Sequence, residues 1–465
     1  MTIFPKSRAV WFLCGTFGPL AGIVMACASN APLLAADDVD SGPAGDSSAD
    51  AAADAADAAP SITDGRADAL VDASALAIAC SVEPCVVQIS GGGSQVCART
   101  STGVAYCWGN NPCGEIPPPL TDAGADAGAD AGADADAGDA EAVAPSPTFV
   151  PGNVPAPRRI LSGVHFISVG LGAACAVMDG GALKCWGGLP TVSTPAGCNP
   201  PLSPKTIDGL PALESVTASS TVVCGLGQDK ELWCWGSSPW LLARVTCTDP
   251  FCDSSSFPPG HAELGGVKTR EVGAFANGAY AVDESGQLRS WGANAVLGRP
   301  TQFAYDTPYP VAGLDRVSSV SPSTQYFDIR TCAVSNGVVY CWGVDYRGVG
   351  PAAPQQVPLP ADQIATSVSV GAHACATTLD GSVFCWGANS AGQLGDGSGT
   401  SQPVHPVKVQ GLTAKATAVV ATDVASCALL VTGAVECWGG NATGQLGLGT
   451  ADHLLHFQPR LVAFQ

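Results

Sequence analysis

The segment CWGANSAGQLGDGSG, residues 385–399, recurs near the C-terminus as CWGGNATGQLGLG, residues 437–449. A Trp-Gly pair occurs seven times, and six of the seven follow a cysteine: Trp108, Trp186, Trp235, Trp291, Trp342, Trp386 and Trp438. With the segment 121–145 set aside, successive tryptophans are roughly 50 residues apart, a period typical of repeat architectures. The sequence therefore predicts seven copies of one structural unit.

Each unit except the fourth has a second cysteine upstream of its Trp-Gly pair. The six pairs are Cys97/Cys107, Cys175/Cys185, Cys224/Cys234, Cys332/Cys341, Cys375/Cys385 and Cys427/Cys437. In the fourth unit Tyr280 and Ser290 stand at these positions. If the two residues face each other across a β-hairpin, a spacing of ten leaves a three-residue turn whose third residue is typically left-handed. Glycine stands there in five units, Gly103, Gly181, Gly286, Gly381 and Gly433, and Lys230 replaces it in the third.

The fifth unit tests this interpretation, because Cys332 and Cys341 are nine residues apart. The same pairing then requires a two-residue turn, and the sequence supplies Asn336-Gly337, the preferred type I' dipeptide. Spacing and turn chemistry change together. We therefore predict six cross-strand disulfides, each contributing about 2–3 kcal/mol by loop closure.

Neighbouring Cys385 and Trp386 point to opposite faces of a strand, so both faces must be buried by sheets stacked side by side. Four short strands in each of seven units, without a helical period, predict an all-β fold: a seven-bladed β-propeller with four-stranded antiparallel blades. The last segment, residues 457–465, matches the strand at 405–412, and little precedes the first hairpin. We expect the N- and C-terminal strands to complete one shared blade, which would remove an exposed sheet edge.

The segments CWGANSAGQLGDG and VSVGAHACATTLDGSVF, residues 385–397 and 368–384, resemble the repeat of the regulator of chromosome condensation family. The resemblance extends over residues 82–465 apart from the spacer, and it implies a seven-bladed propeller. That fold class includes a secreted bacterial β-lactamase inhibitor. The resemblance further implies that the tryptophan packs between blades while the glycines let the chain turn towards the next blade.

The N-terminus has the pattern of an export signal. Lys6 and Arg8 precede an apolar run from Ala9 to Ala26. The run ends in VMAC, which resembles a bacterial lipobox and implies lipidation of Cys27. Ordinary signal-peptidase cleavage and an uncleaved membrane anchor are the alternatives. We predict a signal peptide at 1–26, a disordered tether at 27–80, a propeller at 81–465 and a disordered insertion at 121–145.

Charge is concentrated in these low-complexity segments. The formal net charge of the chain is -20, but segments 31–80 and 121–145 hold seventeen of the 40 acidic residues. They lack the apolar side chains needed to offset chain entropy, so we interpret them as solvated spacers. The remainder is mildly acidic and has no basic stripe, which argues against nucleic-acid binding.

Units six and seven keep the GQLG turn, unit five has RGVG, and units one to three carry insertions instead, at 110–120, 188–202 and 237–261. Because all three follow a Trp-Gly pair, they should cluster on one rim. We predict that Cys113 pairs with Cys198, Cys247 with Cys252 and Cys80 with Cys85. Trp240, Phe251 and Phe257 are the candidate binding residues, since preorganised aromatic side chains make good anchors. The alternative is that these loops merely cover the ends of the blades.

The six histidines are dispersed and follow no catalytic or metal-binding spacing, so we predict no enzyme, cofactor or metal site. His373 precedes a hairpin and is expected to pack in the core. A propeller lyase or hydrolase is a less favoured alternative, and guanine-nucleotide exchange rests on family analogy alone. Two functions remain: a monomeric module at the bacterial cell envelope that binds a protein or glycan and touches the membrane only through its lipid anchor, and a structural envelope component without a ligand.

Overall fold

Seven antiparallel sheets, each of four strands consecutive in sequence, make up the described part of the chain. The computed structural model describes residues 76–111, 116–117, 152–188, 203–244, 257–275, 277–302, 305–323, 330–343, 352–399 and 405–464. The all-β, seven-bladed, four-stranded architecture predicted from the repeats is confirmed.

The strands follow one another along the chain blade by blade. Blade one contains β1 (Val86–Gly92), β2 (Gln95–Thr100), β3 (Ala105–Gly109) and β4 (Val154–Leu161), and blade two contains β5 (Val164–Val169), β6 (Ala173–Met178), β7 (Leu183–Gly187) and β8 (Lys205–Ile207). Blade three contains β9 (Leu213–Ala218), β10 (Val222–Gly227), β11 (Leu232–Gly236) and β12 (Phe257–His261), and blade four contains β13 (Thr269–Phe275), β14 (Gly278–Asp283), β15 (Leu288–Ala293) and β16 (Tyr305–Pro310). Blade five contains β17 (Val317–Pro322), β18 (Thr331–Ser335), β19 (Val338–Trp342) and β20 (Gln355–Gln356). Blade six contains β21 (Ala365–Val370), β22 (His373–Thr378), β23 (Val383–Gly387) and β24 (Val407–Lys408), and blade seven contains β25 (Ala416–Ala421), β26 (Ala425–Leu430), β27 (Val435–Gly440) and β28 (Leu455–Leu461). Within the described ranges, 3-10 helices lie at Pro239–Leu241 and Asn294–Val296.

The hairpin of the second and third strands carries the cysteines in directly opposed positions. In blade six, for example, Cys375 lies opposite Cys385, and the two Cα atoms are 4.1 Å apart. The other five cystines are Cys97–Cys107, Cys175–Cys185, Cys224–Cys234, Cys332–Cys341 and Cys427–Cys437. In blade four Tyr280 lies opposite Ser290 in the same register.

The turns of these hairpins have the expected backbone conformations. The third turn residue has a positive φ in the six three-residue turns, including 67° at the non-glycine Lys230. Asn336 and Gly337 have φ angles of 50° and 76°, as a type I' turn requires. The link between spacing and turn type is therefore confirmed.

One hydrogen bond recurs at every junction between blades. The carbonyl of the last turn residue accepts the N–H of the first residue of the next inner strand, for example Ala416 to Gly381 at 2.9 Å. The donor and acceptor pairs at the other junctions are Val164–Gly103, Leu213–Gly181, Thr269–Lys230, Val317–Gly286, Ala365–Gly337 and Val86–Gly433. The last of these joins blade one to blade seven, so the ring closes with the bond that links every other pair of neighbours.

The prediction of a shared blade is wrong. Strand β28 pairs with β27 of its own blade, and β1 to β4 complete blade one without help from the C-terminus. The C-terminal segment is thus the outer strand that follows its own hairpin, so neither terminal blade lacks a strand. The two blades are joined by the contact of β25 with β1, by the junction hydrogen bond and by the indole N–H of Trp108, which donates to the Gln445 carbonyl of blade seven.

Among the described residues, four of the tryptophans donate a hydrogen bond to the loop of the preceding blade. The indole N–H of Trp438 donates to the carbonyl of Gln393 in the GQLG turn of blade six at 2.9 Å. Gly395 has a φ of 66°, and a Cβ there would lie 2.5 Å from the Trp438 Nε1 atom. Equivalent bonds join Trp108 to Gln445, Trp291 to Leu241 and Trp342 to Val296. The turn is therefore built to receive the indole.

Blade one keeps part of this turn, contrary to the prediction that units one to three have lost it. The N–H of Ile116 donates to Asn111 Oδ1 at 2.7 Å, just as Leu394 donates to Asn389 Oδ1 at 3.0 Å. In both blades the asparagine side chain accepts the N–H of the residue five positions downstream and so stabilises the turn. That residue is leucine in blade six and isoleucine in blade one.

Candidate functional site

The topology separates two faces of the ring. Because the four strands of a blade alternate in direction, the hairpin turns between second and third strands lie on one face, which we call the hairpin face. The loops that follow the Trp-Gly pairs lie on the opposite face, which we call the loop face. The N-terminal arm, residues 76–85, is on the hairpin face, where the N–H groups of Ala79 and Ser81 donate to Val431 and Thr432.

Trp240 lies in the 3-10 helix that follows the third strand of blade three. Its ring is half-buried against the core between blades three and four, and its centroid is 4.7 Å from that of Tyr305. The next residue, Leu241, accepts the indole N–H of Trp291 at 2.9 Å. The turn that carries Trp240 is thus part of the blade junction, which fixes the position of its ring.

Phe257 begins β12 and packs, half-buried, against the same core as Trp240. The structure brings these two predicted binding residues together on one apolar cluster. Phe251 lies outside the described residues, as do Cys27, Cys113, Cys198, Cys247 and Cys252. Cys80 and Cys85 are joined in the arm.

The exposed aromatic side chains of this region belong to β16 and were not predicted from the sequence. Tyr305 is 49% exposed and Tyr309 is 64% exposed. The Arg299 guanidinium lies over the Tyr309 ring, 5.3 Å from its centroid. A usable signal was present, because YDTPYP places two tyrosines in an outer strand whose prolines cannot extend a sheet.

Arg299 is itself held by three acceptors. It pairs with Asp306 at 2.7 Å and donates to the carbonyls of Ser290 and Thr307. Burial acts to raise the pKa of the Asp306 carboxyl, but hydrogen bonds from Arg299 and from the Thr307 N–H hold it below its ordinary value. We name the surface formed by Trp240, Phe257, Arg299, Tyr305 and Tyr309 the blade three/four rim. Its exposed rings are backed by groups that cannot easily move.

A serine–histidine contact exists but does not have the form of a nucleophile with its base. His373 Nε2 lies 2.6 Å from Ser426 Oγ, and both side chains are fully buried. Ser426 donates its own hydrogen to the Gln393 carbonyl at 2.9 Å, so its oxygen accepts from the imidazole. Burial, with Arg330 nearby, lowers the pKa of His373 to about 3, which keeps the ring neutral. The prediction that His373 packs in the core is confirmed.

Two other histidines belong to surface ion pairs. Glu231 bridges Lys268 and His261, each at 2.5 Å, and the hydrogen bonds from Lys268 and then His261 lower the pKa of its carboxyl. His456 pairs with Asp452 at 3.1 Å.

Across the described ranges, no three His, Cys, Asp or Glu side chains come close enough together to hold a metal ion. No helix in the part of the chain that the structure describes is long and apolar enough to cross a membrane.

Comparison with known proteins supports the repeat assignment. Models described as "Regulator of chromosome condensation (RCC1) repeat" match residues 380–429 and residues 86–115 and 366–393. The E3 ubiquitin-protein ligase HERC2 of Homo sapiens is 29% identical over 51% of this chain, but the match spans 5% of that protein. The ultraviolet-B receptor UVR8 of Arabidopsis thaliana is 25% identical over 78% of this chain and 79% of the receptor.

Among solved structures, human WBSCR16 superposes with a TM-score of 0.57 at 18% identity, covering 69% of this chain and 88% of that one. At this identity the likeness concerns the fold. The chain therefore carries segments that match the regulator of chromosome condensation repeat, at residues 86–115 and 366–429, and its described residues form a seven-bladed propeller.

Proposed function

We propose that this protein is an exported binding module, anchored through a lipid on Cys27, that recognises a partner protein with its blade three/four rim. Residues 1–26 act as the signal peptide and 27–80 as the tether. The propeller works as a monomer at the bacterial cell surface and carries out no chemistry of its own, without cofactor or nucleic acid.

The observation that carries this proposal is the pair of exposed tyrosines with rigid backing. Tyr305 stacks on the half-buried Trp240, and Tyr309 lies on the guanidinium of Arg299. Aromatic residues dominate binding energy in protein interfaces, and prior fixing of their positions lowers the entropy cost of association. Phe251 remains a candidate binding residue from the sequence.

The position of the arm supports tethered presentation. The arm lies on the hairpin face, whereas the Trp240 turn belongs to the loop face. The arm therefore leaves the loop face uncovered. The cystines are consistent with export, because such bonds persist in oxidising compartments.

The ligase activity named for HERC2 does not carry over, since the match spans 5% of that protein. The receptor named UVR8 matches over most of its length, which fits a role in recognition better than one in catalysis. A glycan partner is the alternative ligand for the same tyrosines.

The test is a cross-linking pull-down from intact cells with the full chain and the variants Tyr305→Ala and Tyr309→Ala. Each variant should reduce capture of the same partner about tenfold, the effect of losing about 1.4 kcal/mol of binding. Leu461→Ala, at a residue 62% exposed on blade seven, is the matched control and should bind normally. Capture that both tyrosine variants leave unchanged would show that the partner binds outside the blade three/four rim. Absence of any specific partner would favour the structural envelope role, and binding of purified cell-surface polysaccharide alone would identify a glycan partner.

Anchoring is tested separately with Cys27→Ser. The unaltered chain should partition into the detergent phase of a cell extract, and the variant should move to the aqueous phase. Equal partitioning of the two would contradict lipidation.

A further inference from the structure

One cystine differs from the others in its exposure. Cys80 is exposed, whereas the cysteines of the six hairpin cystines are buried apart from the half-buried Cys341. Its partner Cys85 is 1% exposed, and five positions separate the two in sequence. Thiol–disulfide exchange requires that an attacking thiolate reach one sulfur, so among these cystines Cys80–Cys85 is the most accessible.

This cystine lies at the junction where the ring closes. The Sγ of Cys85 rests on the blade-seven turn, since a Cβ on Gly433 would lie 2.6 Å from that sulfur. The carbonyl of Gly433 accepts the N–H of Val86 at 2.9 Å, which is the closing bond between blades seven and one. The carbonyl of Cys85 also accepts the N–H of Ser101 in the blade-one turn at 2.8 Å.

The other half of the cystine fastens the arm to the same turn. On either side of Cys80, Ala79 donates to Val431 at 2.7 Å and Ser81 donates to Thr432 at 3.0 Å. Further upstream, Leu76 approaches the blade-six turn, because a Cβ on Gly381 would lie 3.0 Å from Leu76 Cδ1. The disulfide therefore links an arm with few contacts to a residue fixed in the closing junction.

We propose that Cys80–Cys85 is a redox-exchange site that fastens and releases the N-terminal arm, with a dithiol reductant as its reaction partner. A thiolate of the dithiol attacks Cys80 Sγ, the bond between the protein sulfurs breaks, and Cys85 leaves as a thiolate that takes up a proton. The second thiol of the reductant then attacks the mixed disulfide, which releases Cys80 as a thiol. Two electrons pass from the dithiol, which becomes a disulfide, to the protein cystine.

Release has a local consequence. Once the disulfide is open, Cys80 is no longer tied to Cys85, and the backbone on either side of it is held to blade seven only by the hydrogen bonds of Ala79 and Ser81, so the arm gains freedom. The hairpin cystines stay closed inside the blades. Reduction would thus change the joint between arm and propeller while the seven sheets remain intact.

The test uses the folded full-length protein, dithiothreitol as the dithiol, rapid trapping with N-ethylmaleimide and peptide mapping. Cys80 and Cys85 should be trapped at least about 100-fold faster than the buried hairpin cysteines of blades one, two, three, six and seven, since reduction of those requires local opening of a blade. Equal rates, or resistance of Cys80–Cys85 while the hairpins react, would overturn the proposal.

Hydrogen exchange supplies the second measurement. After selective reduction, exchange at the Ala79 and Ser81 amides should accelerate at least about tenfold, while amides of β22 and β26 keep their rates. The variant Cys80→Ser/Cys85→Ser should show the fast rates without any reductant. Unchanged exchange at both arm amides, in the reduced protein and in the variant, would contradict the fastening role. No binding partner is needed, so the result is independent of the proposed recognition function.

Discussion

Blade four and the other six blades solve the same packing problem in different ways. In the six, a cystine joins the two hairpin strands within the blade. In blade four, Tyr280 occupies the first cysteine position, and its hydroxyl donates to the Val320 carbonyl of blade five at 2.6 Å. Ser290, at the second position, donates to Leu297 at 2.6 Å. A covalent link within a blade is thus replaced by polar links, one of which joins two blades.

The inner strands show why the tyrosine fits. At five junctions a serine or threonine opposite the first cysteine accepts an N–H from the next blade, as Ser369 does from Ala421 at 2.9 Å. The other four acceptors are Ser90, Ser168, Thr217 and Ser321. In blade four this residue is Gly273, and the residue that would donate is Pro322, which has no N–H. The Tyr280 ring fills the space left by Gly273, where a Cβ would lie 2.1 Å from it.

All seven blades have the tryptophan, whereas blade four lacks the cystine. We therefore expect the tryptophan to contribute more than the cystine to the stability of a blade. Trp291→Ala in blade four and Trp438→Ala in blade seven should each lower the free energy of unfolding by about 3–5 kcal/mol, because both indoles are fully buried and hydrogen-bonded. Denaturant titration of the two variants measures this. If one variant lost several times more free energy of unfolding than the other, the two tryptophans would not be equivalent.

Removal of a cystine should have the next largest effect. Cys375→Ala/Cys385→Ala should lower the free energy of unfolding by about 2–3 kcal/mol, because an eleven-residue loop is no longer closed in the unfolded chain. The measurement is denaturant unfolding under oxidising conditions. The control is the unaltered protein treated with a mild reductant that leaves the hairpin cystines intact. Equal unfolding midpoints for the variant and the unaltered protein would show that this disulfide does not stabilise the fold.

The tyrosine substitute should contribute less. Tyr280→Phe keeps the ring over Gly273 but removes the donor to Val320, which should cost about 1–2 kcal/mol in denaturant unfolding. Burial raises the pKa of Tyr280 well above its ordinary value, so the hydroxyl remains a donor through the neutral range. Tyr340→Phe, at a half-buried position in β19, is a matched control and should change the free energy of unfolding little.

Blade four should also make the stability of the protein modestly dependent on pH. Burial raises the pKa of Glu271 to about 7, against the opposing effects of the Val320 N–H and of Arg270. A carboxyl whose pKa is raised on folding gives stability below its unfolded pKa near 4.5, and this stability is lost as the pH rises through about 7.

The melting temperature should therefore fall by roughly 2–4 °C between pH 5 and pH 8 from this group. Glu271→Gln, which keeps an acceptor for the Val320 N–H, should remove that fall. Thermal unfolding at the two pH values measures the change, and an identical pH response in the variant would show that Glu271 is not the group responsible. The charged and titratable groups facing it are Arg270 and Tyr280.

Features set by short separations in the chain were predictable. The turn at Asn336-Gly337, the opposed cysteines and the strand number follow from spacings of about ten residues or fewer, over which backbone geometry leaves few choices. The number of blades follows from the count of Trp-Gly units. Of the residues proposed to bind a partner, the sequence pointed to Trp240, Phe251 and Phe257, because they are aromatic residues in the loops predicted to be held by disulfides.

Long-range features were decided by the tertiary structure. The partner of Tyr280 lies 40 residues away in another blade, and the arm meets the turn at Val431, more than 300 residues downstream. The exposure of Tyr305 and Tyr309 depends on which side chains lie beneath them. The way the ring closes depends on which strand β28 pairs with. The sequence by itself determined what each blade is, because a hairpin is folded by its own neighbours, whereas contacts between blades depend on surfaces that exist only once the ring has formed.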